Sequence, residues 1–316
     1  MKEKGQFGNI SKIIVLLLLF ILIASFKTGY AQDDVIRVDT DLVLIPATVL
    51  DRDGRYVTNL KKEDFQIFED GIEQEVSLFE PTEQPFTVLL LLDRSGSMGR
   101  HMEELANASS TFVKQLRPND QLIAATFANN VDVLFQATKI KDLGKGIKLR
   151  PHPADNNTMI YDAVDFALKK MKKVRGRKAI VLFSDGAGTE LLASPKSNLR
   201  DAEEQEAFIY TVQFNTFTAP HPKSNVKAFY KAVEVANNYM RDLAQVTGGR
   251  SYNIEDIANL DETFSLIANE LGQQYSLSYY PKIEAGQKRE VRQIKVKVRQ
   301  PNLVVRARES YVIEPK

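Results

Sequence analysis

The sequence predicts an α/β fold, a doubly wound and mainly parallel sheet, joined to a small β-sandwich built from the N- and C-terminal flanks. Three observations carry this. Residues 88–92 and 179–184 are continuous apolar runs without alternation, as expected of strands buried on both faces. Across residues 86–272 such runs alternate with segments of helical periodicity, the pattern of a parallel sheet with crossover helices. Residues 32–85 instead read as β from their Val, Ile and Leu content and turn signals, residues 273–316 from alternation, and neither flank is large enough to bury a good core alone.

Residues 1–31 stand apart. Lys2, Lys4 and Lys12 precede an apolar core from Ile13 to Phe26, and Gly29-Tyr30-Ala31 supplies a small-x-small cleavage site. That order predicts a secretory signal peptide, with a core short for a membrane span. An uncleaved anchor is the alternative. The chain is expected to be exported, to the periplasm, the cell surface or the medium.

In the N-terminal flank, residues 35–50 read as strand and Asp51-Arg52-Asp53-Gly54 as a turn. Residues 65–68 and 76–79 read as strands flanking Asp70-Gly71, a hairpin signal. Residues 81–85 are a short linker. The α/β segment follows. Strands are expected at 88–92, 121–127, 131–135, 179–184, 207–214 and 250–253. Helices are expected at 103–116, 139–149, 159–172, 226–246 and 260–271. After Gln274 the chain returns to β at 275–279, 294–298 and 304–308.

Composition removes several chemistries. There is no Cys, which excludes disulfides, thiolate zinc sites, iron–sulfur clusters, a Cys nucleophile and a lipid-modified cysteine anchor. His101, His152 and His221 lack metalloprotease spacing. The whole chain carries +1, but residues 32–86 hold 14 acidic and 5 basic residues, and residues 274–316 hold 4 acidic and 10 basic. Opposite signs favour packing of the two flanks. The basic tail does not indicate nucleic acid, because Lys295, Lys297 and Arg299 alternate with Ile294, Val296 and Val298 as the solvent face of a strand.

The chemistry-bearing feature is the end of the first buried run, where Leu92 is followed by Asp93-Arg94-Ser95-Gly96-Ser97. Open α/β sheets bind ligands where strands leave the sheet at their C-terminal ends. A carboxylate and two hydroxyls suit a hard cation with oxygen ligands. Asp185 ends the second buried run, and Thr158 lies in a polar loop before a helix. In a doubly wound sheet both fall on the same edge as Asp93.

With these residues the chain resembles the von Willebrand factor type A domain over residues 86–272. That family carries a metal-ion-dependent adhesion site (MIDAS) of pattern Asp-x-Ser-x-Ser, a later Thr and a third-loop Asp, here Asp93, Ser95, Ser97, Thr158 and Asp185. The resemblance implies a Rossmann-like domain, with Ser95 and Ser97 coordinating Mg²⁺ or Mn²⁺ directly. It implies that Thr158 coordinates directly or through water, and that Asp93 and Asp185 act largely through bound waters. An acidic residue of a protein partner would fill the open position. The wider chain resembles a bacterial exported subfamily with β flanks. One departure is Asn156-Asn157 before the Thr, where small residues are usual.

Two rival classes remain. A phosphatase of the haloacid dehalogenase type also places an Asp after its first strand, beside Mg²⁺. It uses a second Asp two residues on as general acid, where this chain has Ser95. A metal-independent scaffold would instead bind partners by strand addition along the β flanks. A serine hydrolase is disfavoured because Gly96-Ser97-Met98-Gly99 is not Gly-x-Ser-x-Gly.

Overall fold

The computed structural model describes residues 42–144, 147–149, 158–186, 192–205, 207–214, 226–283 and 288–313. The expected signal segment, the start of the first flank strand, Asn156 and Asn157 lie outside these residues. The described residues belong to one unit, Thr40–Lys316. Its strands in chain order are β1 (Val43–Leu50), β2 (Phe65–Glu69), β3 (Ile72–Gln74), β4 (Leu78–Glu80), β5 (Thr87–Asp93), β6 (Gln121–Phe127), β7 (Val131–Lys139), β8 (Lys178–Ser184), β9 (Phe208–Phe214), β10 (Ser251–Ile254), β11 (Tyr275–Tyr279), β12 (Glu290–Val298), β13 (Val304–Ala307) and β14 (Ser310–Ile313). The helices are α1 (Met102–Gln115), α2 (Ile160–Lys172), α3 (Pro195–Glu203), α4 (Val226–Gln245) and α5 (Leu260–Gly272).

The central sheet has order β10-β9-β8-β5-β6-β7. All its pairs are parallel except β6 with β7. β5 shows why its sequence is a continuous apolar run. Val88, Leu90 and Leu92 pack into one core with Leu105 and Phe112 of α1 and Phe264 and Ile267 of α5. Leu89 and Leu91 pack into the other, with Ile160 and Val164 of α2, Ala202 of α3 and Met240 and Leu243 of α4. Each buried leucine contributes roughly 1.5–3 kcal/mol, so β5 is held firmly from both sides. The chain leaves β5 toward β6 and β7, then returns to place β8 on the opposite side of β5. The strand order thus reverses between β5 and β8, opening a crevice at their C-terminal ends.

The flanks interleave as expected for the sandwich. β1 pairs with β11 and β13, and β2 pairs with β12. The two four-stranded sheets, β13-β1-β11-β4 and β14-β12-β2-β3, enclose a core that includes Ile45, Val49, Phe65, Ile67, Tyr275, Leu277, Ile294 and Tyr311. Lys295 and Lys297 are exposed on β12, the solvent face expected from their alternation. The sandwich is tied to the N-terminal ends of the central strands. Arg177, just before β8, donates to the carbonyls of Thr82 (2.9 Å) and Leu271 (2.8 Å). Buried Glu270 accepts from Tyr210 of β9 at 2.5 Å and pairs with Arg306 of β13. The sandwich therefore leaves the opposite sheet edge uncovered.

Two local expectations are corrected, and one further helix appears. The Asp70-Gly71 turn, with φ of 47° and 83°, joins β2 to β3 rather than to a strand at 76–79. Residues 78–80 instead cross to the other sheet as β4. No helix spans 139–149. β7 runs on to Lys139, past the expected end at 135, and only a 3-10 turn over Ile140–Asp142 follows. The antiparallel pairing with β6 carries the strand as far as Lys139, which lies opposite Gln121. α3 was not expected. Its signals are local: Ser194 caps Ser197 N–H at 3.2 Å, and Pro195 occupies the first turn. The Asp51–Gly54 segment is the turn expected, with Asp51 Oδ1 accepting from the backbone of Asp53 and Arg55.

Candidate metal site

β5 carries Asp93 to the switch point, where the carboxylate is fully buried. Its Oδ1 accepts from Ser95 N–H at 2.8 Å, which turns the chain back on itself immediately after the strand. Met98 anchors the loop by burying its whole side chain in the core under α1. The turn leaves Ser95 buried and Ser97 exposed, so the loop spans from core to solvent. β8, the parallel neighbour of β5, brings Ser184 level with Asp93, and Ser184 Oγ donates to Asp93 Oδ2 at 2.6 Å.

Asp185 follows at the same edge. Ser97 Oγ donates to its Oδ2 at 2.8 Å, and the Ser95 and Ser97 hydroxyls lie 3.1 Å apart. Asp93, Ser95, Ser97 and Asp185 thus form one continuous hydrogen-bonded group drawn from two loops. Thr158 lies on the same edge. Met159 N–H donates to the carbonyl of Ala128, one residue past the Phe127 that pairs with Asp93. Thr158 is half-buried, and no side-chain hydrogen bond joins it to the other four.

Three residues not singled out from the sequence support the group. Ser184 also accepts from Gly186 N–H at 3.0 Å. Gln213, at the end of β9, donates to the Asp185 carbonyl at 3.0 Å and to Asn237 Oδ1 of α4 at 2.7 Å. Gly186 has φ +80°, and a Cβ there would stand 3.2 Å from the Ala236 Cβ. Only glycine suits that turn, which lets α4 close against it. Ser184 and Gly186 flank Asp185 in sequence, and the abrupt end of the apolar run is the signal for both. Gln213 and Asn237 carry no local signal.

The electrostatics centre on the fully buried carboxyl of Asp93. Burial, and then the neighbouring Asp185 carboxylate, push the Asp93 carboxyl up to about 7, against the hydrogen bonds from Ser184 and Ser95 that favour its charged form. Among the described residues no basic side chain pairs with Asp93; Arg94 beside it pairs with Asp132 at 2.5 Å. Nor do three His, Asp or Glu side chains cluster anywhere among them. Among the described residues the donors gathered here are two carboxylates plus hydroxyls. An all-oxygen set of this kind suits a hard divalent cation. Adjacent ligands of an octahedral Mg²⁺ lie about 3 Å apart, which the Ser95–Ser97 separation of 3.1 Å matches.

A doubly wound α/β domain with oxygen donors gathered at its switch point is of the class that binds ligands at its strand ends. The von Willebrand factor type A domain model matches residues 87–266, and the chain belongs to that family. A UPF0353 protein of Mycobacterium marinum is 27% identical over 205 residues, covering 58% of this chain and 60% of that protein. The chain thus spans well under the full length of the curated relatives it matches. Two solved structures are similar at low identity. A von Willebrand factor type A protein from Catenulispora acidiphila shares 11% identity at TM-score 0.43, covering 79% of this chain and 72% of that one. Proximal thread matrix protein 1 from the mussel byssus, with a zinc-occupied MIDAS motif, shares 12% at TM-score 0.41, covering 66% and 50%.

Proposed function

We propose that this chain is an exported, non-enzymatic protein-binding module. Its site holds Mg²⁺ or Mn²⁺ through Ser95, Ser97 and Thr158, with Asp93 and Asp185 behind them, and captures an acidic residue of a protein partner. The observation that carries this is the hydrogen-bonded run from buried Asp93 through Ser95 and Ser97 to Asp185. A cation seated among these oxygens would help balance the buried charge of Asp93 beside Asp185. The hydroxyl ligands are neutral, so the ion keeps net positive character toward solvent and attracts an anionic oxygen.

The phosphatase reading is disfavoured by the same geometry. A nucleophilic carboxylate must reach its substrate, and Asp93 is fully buried with both oxygens engaged. The residue two positions on, Ser95, has its hydroxyl against Ser97. Partner capture with and without chelator, using the parent chain and Ser97→Ala, tests the proposal. Partners lost with chelator and with Ser97→Ala support it. Recovery of the same partners under every condition refutes metal-mediated binding and returns the reading to the β flanks. Export is tested separately by detecting a shortened N-terminus on protein recovered outside the cytoplasm.

A further inference from the structure

We infer that Asp162, in the first turn of α2, is a positioning residue of the candidate metal site, fastening the helix that follows Thr158 to the chain that follows Asp185. This rests on the metal reading proposed above. Asp93, Ser95, Ser97 and Asp185 are joined to one another by hydrogen bonds. Thr158 stands apart from that run, so its place in the site depends on the backbone that carries it.

Two braces hold that backbone. The first faces Asp93. Met159 N–H donates to the Ala128 carbonyl at 3.0 Å, and Ala128 follows Phe127, the β6 residue paired with Asp93. The second faces Asp185, and Asp162 makes it. Its Oδ1 accepts from the backbone N–H of Leu192 at 3.1 Å and of Ala193 at 3.0 Å. Those residues follow Asp185 in the chain and lead into α3 through its cap, Ser194. An acid in the first turn suits any helix through the dipole. That role does not require a carboxylate oxygen aimed at another segment, and both of these bonds leave α2. Bonds to an ionised acceptor are roughly twice as strong as neutral ones, which makes Asp162 an effective strut.

A second link through the interior has the same two ends. Asn198 of α3 is fully buried, and its amide donates to the Tyr161 carbonyl at 2.9 Å and to the Tyr239 hydroxyl at 2.8 Å. The Tyr161 and Tyr239 rings also meet edge to face, with centroids 4.9 Å apart. Tyr239 lies on α4 beside Asn237, which accepts from the Gln213 amide that also holds the Asp185 carbonyl. The first turn of α2 is thus tied toward Asp185 through Asp162 and again through Asn198. Thr158 is thereby placed relative to both carboxylates before any ion arrives. Residues that orient metal ligands from behind typically change metal affinity by about 10–100-fold when replaced.

Asp162 is half-buried and Asn198 is in the core, so Asp162 is the residue to replace. The test is Mn²⁺ titration of the full chain, followed by electron paramagnetic resonance, with urea unfolding in chelator to show that each variant is folded. Asp162→Ala is expected to weaken Mn²⁺ binding about tenfold or more. Asp162→Asn keeps an oxygen for the two N–H groups and should bind within about twofold of the parent. Combined with Thr158→Ala, Asp162→Ala should cost nothing beyond Thr158→Ala alone, because a strut has no effect once its ligand is gone. Should the alanine variant fail to fold, Asp162→Ser, with a side chain too short to reach either N–H, is expected to show the same losses. Parent-like binding by a folded Asp162→Ala or Asp162→Ser overturns the inference. An additive loss in the double variant overturns it too, since Asp162 would then act independently of Thr158. So does an asparagine variant as weak as alanine, which would make the charge responsible rather than the bonds. Absence of Mn²⁺ binding by the parent removes the metal reading and this inference with it.

Discussion

Replacing Asp93→Asn separates the two roles of that carboxylate, because metal capture and fold stability should respond in opposite directions. Asp93 is fully buried, and its carboxyl is raised from 3.8 to about 7 by burial and by Asp185. A raised acid stabilises the fold in its protonated form. That contribution is complete below about pH 4, fades as pH rises toward 7, and is absent above it. Carrying the group from 3.8 to about 7 corresponds to roughly 4 kcal/mol. Asparagine mimics the protonated acid at every pH. Its carbonyl can keep the Ser95 N–H bond, and its amide can donate to Ser184 Oγ. Ser184 loses a strong acceptor in the exchange, so the net gain is smaller, about 1–3 kcal/mol. In chelator, urea unfolding should show little difference between parent and variant at pH 4.5 and a more stable variant at pH 8. Added Mg²⁺ should stabilise the parent at pH 8, by about 2.7 kcal/mol at one hundred times its dissociation constant, and leave the variant unmoved. A variant less stable than the parent in chelator at pH 8 would refute the electrostatic argument. A retained Mg²⁺ response would refute the role of Asp93 in the site.

Three further perturbations probe other parts of the account. Ser97→Ala should lose the Mg²⁺-linked thermal shift while changing stability in chelator by less than about 1 kcal/mol, since Ser97 is exposed. Gly186→Ala should destabilise by about 1–3 kcal/mol in denaturant titrations and weaken Mn²⁺ binding, because the left-handed turn and the Ala236 contact both resist a Cβ. Glu270→Ala should cost about 3–5 kcal/mol by leaving buried Tyr210 and Arg306 without their acceptor. It should leave the Mg²⁺ response intact, because Glu270 lies at the opposite edge of the sheet.

The sequence was most informative where a single strong physical pattern acted. The run from Val88 to Leu92 had to be buried on both faces, and its end at Asp93 marked the candidate site. Alternation in Ile294, Val296 and Val298 placed β12, and the shortage of core in each flank required their union. The hairpin after Asp70-Gly71 was misassigned because the turn residues fix a bend but not the length of the returning strand, and β3 has only three residues. The expected helix at 139–149 lost its start because pairing with β6 carries β7 through Lys139, an interaction between segments that no local window contains. Gln213 and Asn237 were unreadable for the same reason. They reach the Asp185 turn only because β9 and α4 are packed beside β8. Thr158 was placed on the correct edge by its position before α2, while its distance from the serines depends on a loop outside the described residues.

The central claim is that Asp93, Ser95, Ser97, Thr158 and Asp185 hold one divalent cation with a position open to a partner. Titration with Mn²⁺, followed by electron paramagnetic resonance on the parent chain and on Asp185→Ala, tests it most directly. The account predicts one saturable Mn²⁺ site on the parent, displaced by Mg²⁺ and absent from Asp185→Ala. A parent chain that leaves Mn²⁺ free at millimolar concentration, or a variant that binds it equally well, would contradict it.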